Sequence, residues 1–288
     1  MRDPVVLVVS RRMVIVPPPV ACCYVQVSRG YIHTFRVLDT PIGLLTMTDA
    51  IDTVKQWLDS VGRCRLVTFA NVHMLVEARR KPEFGQILCQ TDLNCPDGSP
   101  ISWIGNWLYG NRVSKISGPD FMPLFCEHTT GRGYRHFLYG GADGIGQRAA
   151  DELKRRFPDI EIAGHYTPPF RQLTPQEDEK ICNQIKETHA DIIWVGLGCP
   201  KQEQWIVEHR DLLNARVILA VGQAFDILAG SKARAPQLFQ RVGMEWAYRL
   251  VQEPRRLWRR YLVTNTLFLT WLLRGLMQSE VGLDRSDL

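Results

Sequence analysis

Two predicted strand ends carry side chains suited to acid–base chemistry. Asn71 and His73 follow one apolar run, and Asp97 stands between Pro96 and Gly98 after a second, shorter run. Because parallel strands end at a common edge of a sheet, we expect Asn71 and Asp97 to meet in one crevice. A carboxylate held in a turn there can act as a general base toward a hydroxyl. Pro-Asp-Gly is also a common turn sequence, so this motif alone does not establish a catalytic role.

A third strand end combines a glycine-containing turn with a Lys-Gln-Glu triplet. The apolar run 192–195 leads into this turn, and Lys201, Gln202 and Glu203 open the next helix. Backbone N–H groups, a cation and an amide would then stand at the sheet edge where α/β proteins bind phosphorylated ligands. Farther along, five arginines crowd into twelve positions: Arg249, Arg255, Arg256, Arg259 and Arg260. We therefore predict an anionic substrate and interpret it as a nucleotide sugar.

A glycine-rich turn at 140–146 follows another predicted strand and precedes a helix. That order is typical of dinucleotide-binding sites, but the glycines do not fit G-x-G-x-x-G and no acidic residue ends a following strand. The sequence therefore argues against NAD binding. Two interpretations stay open: a turn that faces a phosphate or nucleotide, and glycines that only allow tight strand–helix packing.

Predicted strands and helices alternate through most of the chain. Strands are predicted at 65–70, 91–95, 135–139, 161–165, 191–195 and 217–221, and helices at 48–60, 72–80, 147–157 and 175–188. This alternation predicts an α/β fold with a Rossmann-like, mostly parallel sheet flanked by helices, followed by a C-terminal helical appendage that is basic and apolar. We expect an N-terminal extension over 1–34, a catalytic domain over 35–232 and a membrane-associating appendage over 233–288.

Composition and charge argue against several other classes of protein. The 288 residues are 45% hydrophobic and 23% charged, as in soluble globular proteins. The net charge of +5 is mild and the basic excess is local, which favours phosphate or anionic lipid over nucleic acid. Eight cysteines without a C-x-x-C pair predict buried free thiols rather than a metal site, in a reducing cytoplasm. Arg11, Arg12 and the prolines at 17–19 interrupt any signal-peptide core.

The tail contains a short apolar segment with basic flanks. Residues 261–273 are mostly apolar, but a membrane-spanning helix needs about 20 such residues. We expect an interfacial amphipathic helix anchored by Trp258 and Trp271. A helix that packs on the core or on a partner subunit is the alternative.

The motifs, taken together, resemble those of the WecG/TagA/CpsF family of bacterial glycosyltransferases (glycosyltransferase family 26). The resemblance extends over about residues 35–261, and each motif is weak singly while their order and spacing are specific. The shared motifs are FANVH (69–73), CPDG (95–98), GPD (118–120), GLGCPKQE (196–203), GQAFD (222–226), RAP (234–236), EWAYRL (245–250) and EPRR (253–256).

The resemblance implies an inverting, metal-independent transfer of a sugar from a UDP-sugar to a polyprenyl-diphosphate-linked acceptor. The reaction would serve exopolysaccharide, capsule or other cell-surface glycan synthesis at the inner face of the plasma membrane, with no cofactor and no metal. Asp97 would be the general base, with Asn71 beside it. The other substrate-binding positions that the resemblance implies are Lys115, Gln202, Arg249, Arg256 and Arg259. Arginine forks match phosphate oxygens and can replace a metal at a leaving diphosphate.

This chain departs from the family pattern at two points. Phe69 stands where relatives often have threonine, and Lys115 stands where better-studied relatives have arginine. Phe69 and His73 could indicate a donor other than N-acetylmannosamine, such as glucose or glucuronic acid. A non-catalytic nucleotide-sugar- or lipid-binding module of the same fold stays open as the alternative function. A homo-oligomer also stays open.

Overall fold

Three sheets organise the residues that the computed structural model describes, which are 7–9, 12–14, 23–27, 30–110, 112–241 and 243–281. The strands are β1 (Leu7–Val9), β2 (Arg12–Val14), β3 (Cys23–Val27), β4 (Gly30–Val37), β5 (Thr40–Gly43), β6 (Arg65–Ala70), β7 (Leu93–Pro96), β8 (Arg135–Gly140), β9 (Glu161–Tyr166), β10 (Ile192–Gly196) and β11 (Val217–Ala220). Strands β1 and β2 form one antiparallel pair, and β3, β4 and β5 form a second antiparallel sheet. The other six strands form a parallel sheet in the order β7-β6-β11-β10-β8-β9. This sheet confirms the predicted Rossmann-like class.

Helices connect the parallel strands and continue into the C-terminal part of the chain. They are α1 (Met47–Asp59), α2 (Val72–Arg80), α3 (Pro82–Gln90), α4 (Ser99–Tyr109), α5 (Gly118–Thr129), α6 (Ile145–Arg156), α7 (Pro175–Glu187), α8 (Lys201–Glu208), α9 (Ala224–Leu228), α10 (Gln237–Arg241), α11 (Glu245–Gln252) and α12 (Pro254–Val281). The four predicted helices correspond to α1, α2, α6 and α7, and each end agrees within two residues.

Side-chain alternation gives the parallel sheet two apolar faces. On one face, Val67 and Trp194 pack with residues of α1, α5 and α6. On the other, Leu66 and Ile193 pack with residues of α7 and α8. Because successive side chains of a strand point to opposite faces, these continuous apolar strands need helices on both sides.

A third apolar cluster joins the small antiparallel sheet to α2, α3 and α12. Phe35 from β4, Leu75 from α2, Phe84 from α3 and Phe268 from α12 are all buried in it. Helix α12 therefore packs along α2, the helix that follows the end of β6. The predicted boundary between residues 34 and 35 falls inside β4, and the three-part division of the chain stays a prediction.

Helix α12 begins at Pro254 and is longer than the apolar segment 261–273. Leu257, Thr264 and Phe268 are buried on the face toward the rest of the molecule. A separate set of apolar side chains on α12, here called the exposed stripe, consists of Trp258, Leu262, Leu269 and Leu273. At 100° per residue these four positions lie within about 60° of one another around the helix. None of the described helices, α12 included, is long and apolar enough to span a membrane.

Candidate active site

The ends of β6 and β7 bring Asn71 and Asp97 together. The two strands are hydrogen-bonded neighbours with Ala70 opposite Pro96, so the residues that follow them lie side by side. The backbone N–H of Asp97 donates to the carbonyl of Ala70 at 2.9 Å. The side chain of Asn71 hydrogen-bonds to the carboxylate of Asp97.

The start of α2 fixes the orientation of Asn71. Asn71 is the N-cap residue of this helix, and its Oδ1 accepts a hydrogen bond from the backbone N–H of Met74 at 3.2 Å. Because Oδ1 is used by the cap, the amide NH₂ is the group that donates to Asp97. On the Asp97 side, Gly98 has a φ of 96°, which a residue with a Cβ rarely adopts. The cap and the glycine thus hold both side chains in place.

Burial and neighbouring charges set the proton affinity of Asp97. The pKa of its carboxyl is raised to about 6, mainly by burial and further by the charge of Glu245. Arg249, Lys115 and the hydrogen bond from Asn71 act in the opposite direction on this pKa. Asp97 is consequently ionised at neutral pH and remains a stronger base than an ordinary aspartate, as general-base catalysis requires.

Helix α11 brings C-terminal residues to this strand end. Glu245 and Arg249 are four residues apart, so they lie on the same face of α11. Glu245 forms an ion pair with Lys115, and both side chains are largely buried. The segment that carries Lys115 is attached to β7, because the N–H of Ile116 donates to the carbonyl of Pro96 at 2.8 Å. Two cations and an acid from distant parts of the chain therefore surround Asp97.

A second ion pair holds the link to the C-terminal helices. Arg234 of the Arg-Ala-Pro motif pairs with Asp120 in the first turn of α5. Ser117 Oγ also donates to the carboxylate of Asp120 at 2.5 Å. The two contacts and the charge of Lys115 lower the pKa of Asp120, although burial alone would raise it. The Gly-Pro-Asp and Arg-Ala-Pro motifs thus meet through this ion pair.

The polar atoms of Gln202 are engaged inside the turn that follows β10. Its Oε1 accepts from the N–H of Gly198 at 3.1 Å, and its Nε2 donates to Glu203 Oε1 at 2.7 Å and to the carbonyl of Ala220 at 3.3 Å. Gln202 and Glu203 are both buried, and burial raises the pKa of Glu203 to about 7. In this structure Gln202 therefore shapes the turn through its amide group.

Comparison with known proteins gives the family of the chain. Residues 35–281 match the model of the glycosyl transferase WecG/TagA/CpsF family, which is most of the sequence. The chain belongs to this family. It is therefore a glycosyltransferase, as the motifs predicted.

Two similar enzymes come from Bacillus spizizenii and Staphylococcus aureus. An N-acetylglucosaminyldiphosphoundecaprenol N-acetyl-beta-D-mannosaminyltransferase of Bacillus spizizenii is 32% identical over 206 residues, which cover 72% of this chain and 77% of the relative. An enzyme of the same name from Staphylococcus aureus is 27% identical over 216 residues, which cover 74% and 83%.

The family arginines of α12 occupy different surroundings. Arg259 is exposed, with its guanidinium 5.8 Å from the centre of the Trp258 ring. The side chain of Arg256 lies outside the described part of the structure. Arg260, one of the five clustered arginines but not one of the predicted substrate-binding residues, is half-buried and close enough to His73 and Cys199 to affect their pKa values. Arg260 follows the buried Leu257 by three residues, so the two side chains are neighbours on one face of α12. This helical spacing is the signal from which Arg260 could have been predicted.

His73 and Phe69, the two residues considered for sugar choice in this family member, lie in different places. His73 is half-buried on α2, where burial and then Arg260 lower its pKa to about 4, so the ring is neutral at neutral pH. Phe69 is buried in the core, with its ring 5.4 Å from that of Phe121. The position of Phe69 therefore does not support a direct contact with the sugar.

Gly140, the last residue of β8 and the first of the glycine-rich turn 140–146, is required for close packing of two strands. Gly140 has a φ of 120°, and a Cβ built there would stand 2.6 Å from the carbonyl oxygen of Gly196. Because the obstacle is backbone of the neighbouring strand β10, no side chain fits at this position. Of the two interpretations that the sequence left open, tight packing accounts for Gly140.

Proposed function

We propose that this glycosyltransferase moves a sugar from a UDP-sugar to a polyprenyl-diphosphate-linked acceptor, with inversion at the anomeric carbon and without a catalytic metal. The observation that carries the proposal is the environment of Asp97, whose pKa is about 6 and whose carboxylate is held by Asn71 beside Lys115 and Arg249. The names of the relatives, which contain a lipid-diphosphate-linked N-acetylglucosamine, support the acceptor class.

Asp97 acts as the single general base of the reaction. Its carboxylate accepts the proton of an acceptor hydroxyl while that oxygen attacks the anomeric carbon from the face opposite UDP. The bond between this carbon and the diphosphate oxygen breaks, and UDP leaves with the electron pair. One base is sufficient for such an inversion, in contrast to a mechanism with a covalent sugar intermediate.

Lys115 and Arg249 stabilise the charge that develops on the leaving diphosphate. They are the two cations that lower the pKa of Asp97, so they stand at the same strand end as the base. Cations placed in advance where charge develops lower the barrier of a transfer step. Arg256 and Arg259 are proposed to join them when the donor is bound, and Gln202 to keep the turn after β10 in shape. His73 is proposed to border the donor site from α2.

The transfer is proposed to need no divalent metal, because these cations supply the positive charge. The sequence also has no D-x-D motif, which would offer paired carboxylates for a metal-bound diphosphate. Activity should persist after treatment with EDTA. Loss of activity that Mg²⁺ or Mn²⁺ restores would contradict this part of the proposal.

The exposed stripe is proposed to attach the enzyme to the inner face of the plasma membrane, where a polyprenyl chain would be anchored. Its four apolar side chains are accompanied by exposed Arg255 and Arg259, which suit anionic headgroups. A peripheral location follows from this arrangement of apolar and basic residues on one helix.

The test is a transfer assay with a panel of UDP-sugars and a short-chain lipid-diphosphate acceptor. We expect product with at least one donor, and Asp97→Asn should lower turnover by about a hundredfold or more while UDP binding changes only a few-fold. Asp159→Asn is the matched control, since Asp159 is exposed in the turn before β9, at the opposite edge of the parallel sheet, and should leave turnover unchanged. UDP binding without transfer from any donor would favour the non-catalytic module instead, and an unchanged rate in Asp97→Asn would overturn the assignment of the base.

A further inference from the structure

Asp178, Cys182 and His209 form a group of metal-type side chains between α7 and the end of α8. Among the described residues, one ligand atom from each lies within 4.8 Å of the others. Asp178 and Cys182 are four residues apart on α7, so both side chains project from one face of that helix. His209 is the C-cap residue of α8, at the opposite end of the helix from Gln202.

The hydrogen bonds of His209 leave one ring nitrogen facing a carboxylate. Its Nδ1 lies 2.8 Å from the carbonyl oxygen of Trp205, which only accepts, so Nδ1 carries the hydrogen. Its Nε2 lies 3.0 and 3.2 Å from the two carboxylate oxygens of Asp178. Nε2 and the carboxylate oxygens of Asp178 therefore face each other at a distance that a shared cation could bridge. Metal-binding histidines commonly donate their second N–H to a backbone carbonyl in this manner.

Aromatic stacking holds the histidine ring in this orientation. The ring of Trp205 lies 4.1 Å from that of His209 and 4.2 Å from that of Tyr139, at near-parallel angles. The side chain of His209 is 5% exposed and that of Asp178 is 33% exposed. The three-residue group is therefore buried on the His209 side and open to solvent on the Asp178 side. A metal ion could enter from that open side, and a water molecule could complete its coordination.

We propose that Asp178, Cys182 and His209 bind a Zn²⁺ ion that fastens α7 to the end of α8. One oxygen, one sulfur and one nitrogen ligand suit zinc, whereas Mg²⁺ and Ca²⁺ prefer oxygen alone. In tetrahedral zinc coordination, nitrogen and oxygen ligands are about 3.4 Å apart, close to the separation of His209 Nε2 from Asp178. A cysteine binds zinc as the thiolate, so Cys182 would give up its proton on binding.

The experiment measures zinc binding to the full-length protein after removal of metal with a chelator. We expect one equivalent of Zn²⁺ to bind in competition with a chromophoric chelator and to raise the melting temperature. Cobalt should give a thiolate-to-metal charge-transfer band. Loss of a ligand should weaken binding by more than the roughly 10–100-fold that follows loss of a supporting residue, so Cys182→Ser and Asp178→Asn should each exceed this range.

Cys89→Ser is the matched control, because Cys89 is an exposed thiol on another helix and its loss should leave zinc affinity and the cobalt band unchanged. The partly exposed Asp178 gives a second variant should Cys182→Ser fail to fold. The proposal is overturned if no zinc binds, or if zinc binds equally well without Cys182. It is also overturned if Asp178→Asn lowers the melting temperature equally with and without zinc, since a simple His209–Asp178 ion pair would then suffice. None of these readouts depends on transferase activity.

Discussion

Asp97 has to be ionised to accept a proton, while its burial favours the neutral form. Because the pKa of its carboxyl is about 6, kcat/KM should rise about tenfold per pH unit below pH 6 and become level above it. Glu245→Gln removes a like charge and should move this acidic limb to lower pH. Arg249→Gln removes an opposite charge and should move it to higher pH. The measurement is a pH profile of kcat/KM for the wild-type protein and the two variants. If the acidic limb lies at the same pH in all three proteins, Asp97 is not the group that this limb reports.

The same carboxyl should lower the stability of the fold at neutral pH. Its pKa is raised from 3.8 to about 6 in the folded state, so folding binds protons between these values and stability falls as the pH rises through that window. Relative to Asp97→Asn, the wild-type protein should lose about 2 kcal/mol between pH 4 and pH 7. Urea unfolding at both pH values checks this change. A gap between the two proteins that is the same at both pH values would mean that Asp97 ionises normally.

Helix α12 supports the site from a distance, because it packs along the helix that begins beside Asn71. Phe268 is buried against α2, whereas its neighbour Leu269 belongs to the exposed stripe. Phe268→Ala should therefore cost about 3–5 kcal/mol of unfolding free energy. Leu269→Ala should stay within about 0.5 kcal/mol. Urea unfolding of this adjacent pair tests the packing, and equal losses would show that α12 does not pack as described.

The sequence predicted those elements in which pattern and capping agree. Helix α2 begins and ends at the predicted residues, since Asn71 is a good N-cap and apolar residues recur at helical spacing after it. Helix α3 was not predicted, because its first residue is Pro82 and proline usually indicates a turn or a helix end. Proline is in fact tolerated at the first helical position. Helix α5 was also missed, since Pro123 lies inside it and normally argues against a helix.

The candidate site was predictable where it depends on strand ends and not where it depends on tertiary packing. Asn71 and Asp97 could be placed together because β6 and β7 are parallel neighbours. The pairing of Lys115 with Glu245 joins residues 130 positions apart and has no local signal. The same holds for the group of Asp178, Cys182 and His209, because its members come from two different helices and contain no C-x-x-C pair.

The molecule as a whole has apolar surface concentrated in its C-terminal helices. Outside the exposed stripe, Leu238, Trp246 and Val251 on α10 and α11 are also exposed. The same helices supply Glu245 and Arg249 to the surroundings of Asp97, so one part of the chain contributes to both the candidate site and the outer surface. Binding to a membrane would thus place the active site near the headgroups, where the diphosphate of a lipid-linked acceptor is found.

This arrangement predicts that the exposed stripe is needed for membrane binding and not for chemistry. Replacing Leu262, Leu269 and Leu273 with serine should weaken binding to anionic lipid vesicles, because each leucine loses its apolar contact with the lipid. The expected loss is about a hundredfold and not more, because each leucine is only partly removed from water when the helix binds. Transfer to a short-chain, soluble acceptor should remain within about twofold, because the buried face of α12 is unchanged. Deleting α12 would not separate the two effects, since Phe268 would be lost from the core as well.

Val61 and Phe170 provide the matched control, because they are exposed apolar residues outside the C-terminal helices. Serine at both positions should leave vesicle binding unchanged. Binding of the wild-type protein should also weaken as salt is added, since the exposed arginines Arg255 and Arg259 contribute through screened charges. Vesicle cosedimentation and a transfer assay with the short-chain acceptor are the two measurements. Undiminished vesicle binding by the triple serine variant would show that another surface attaches the enzyme, whereas a matching loss of transfer to the soluble acceptor would show that the stripe belongs to the catalytic site.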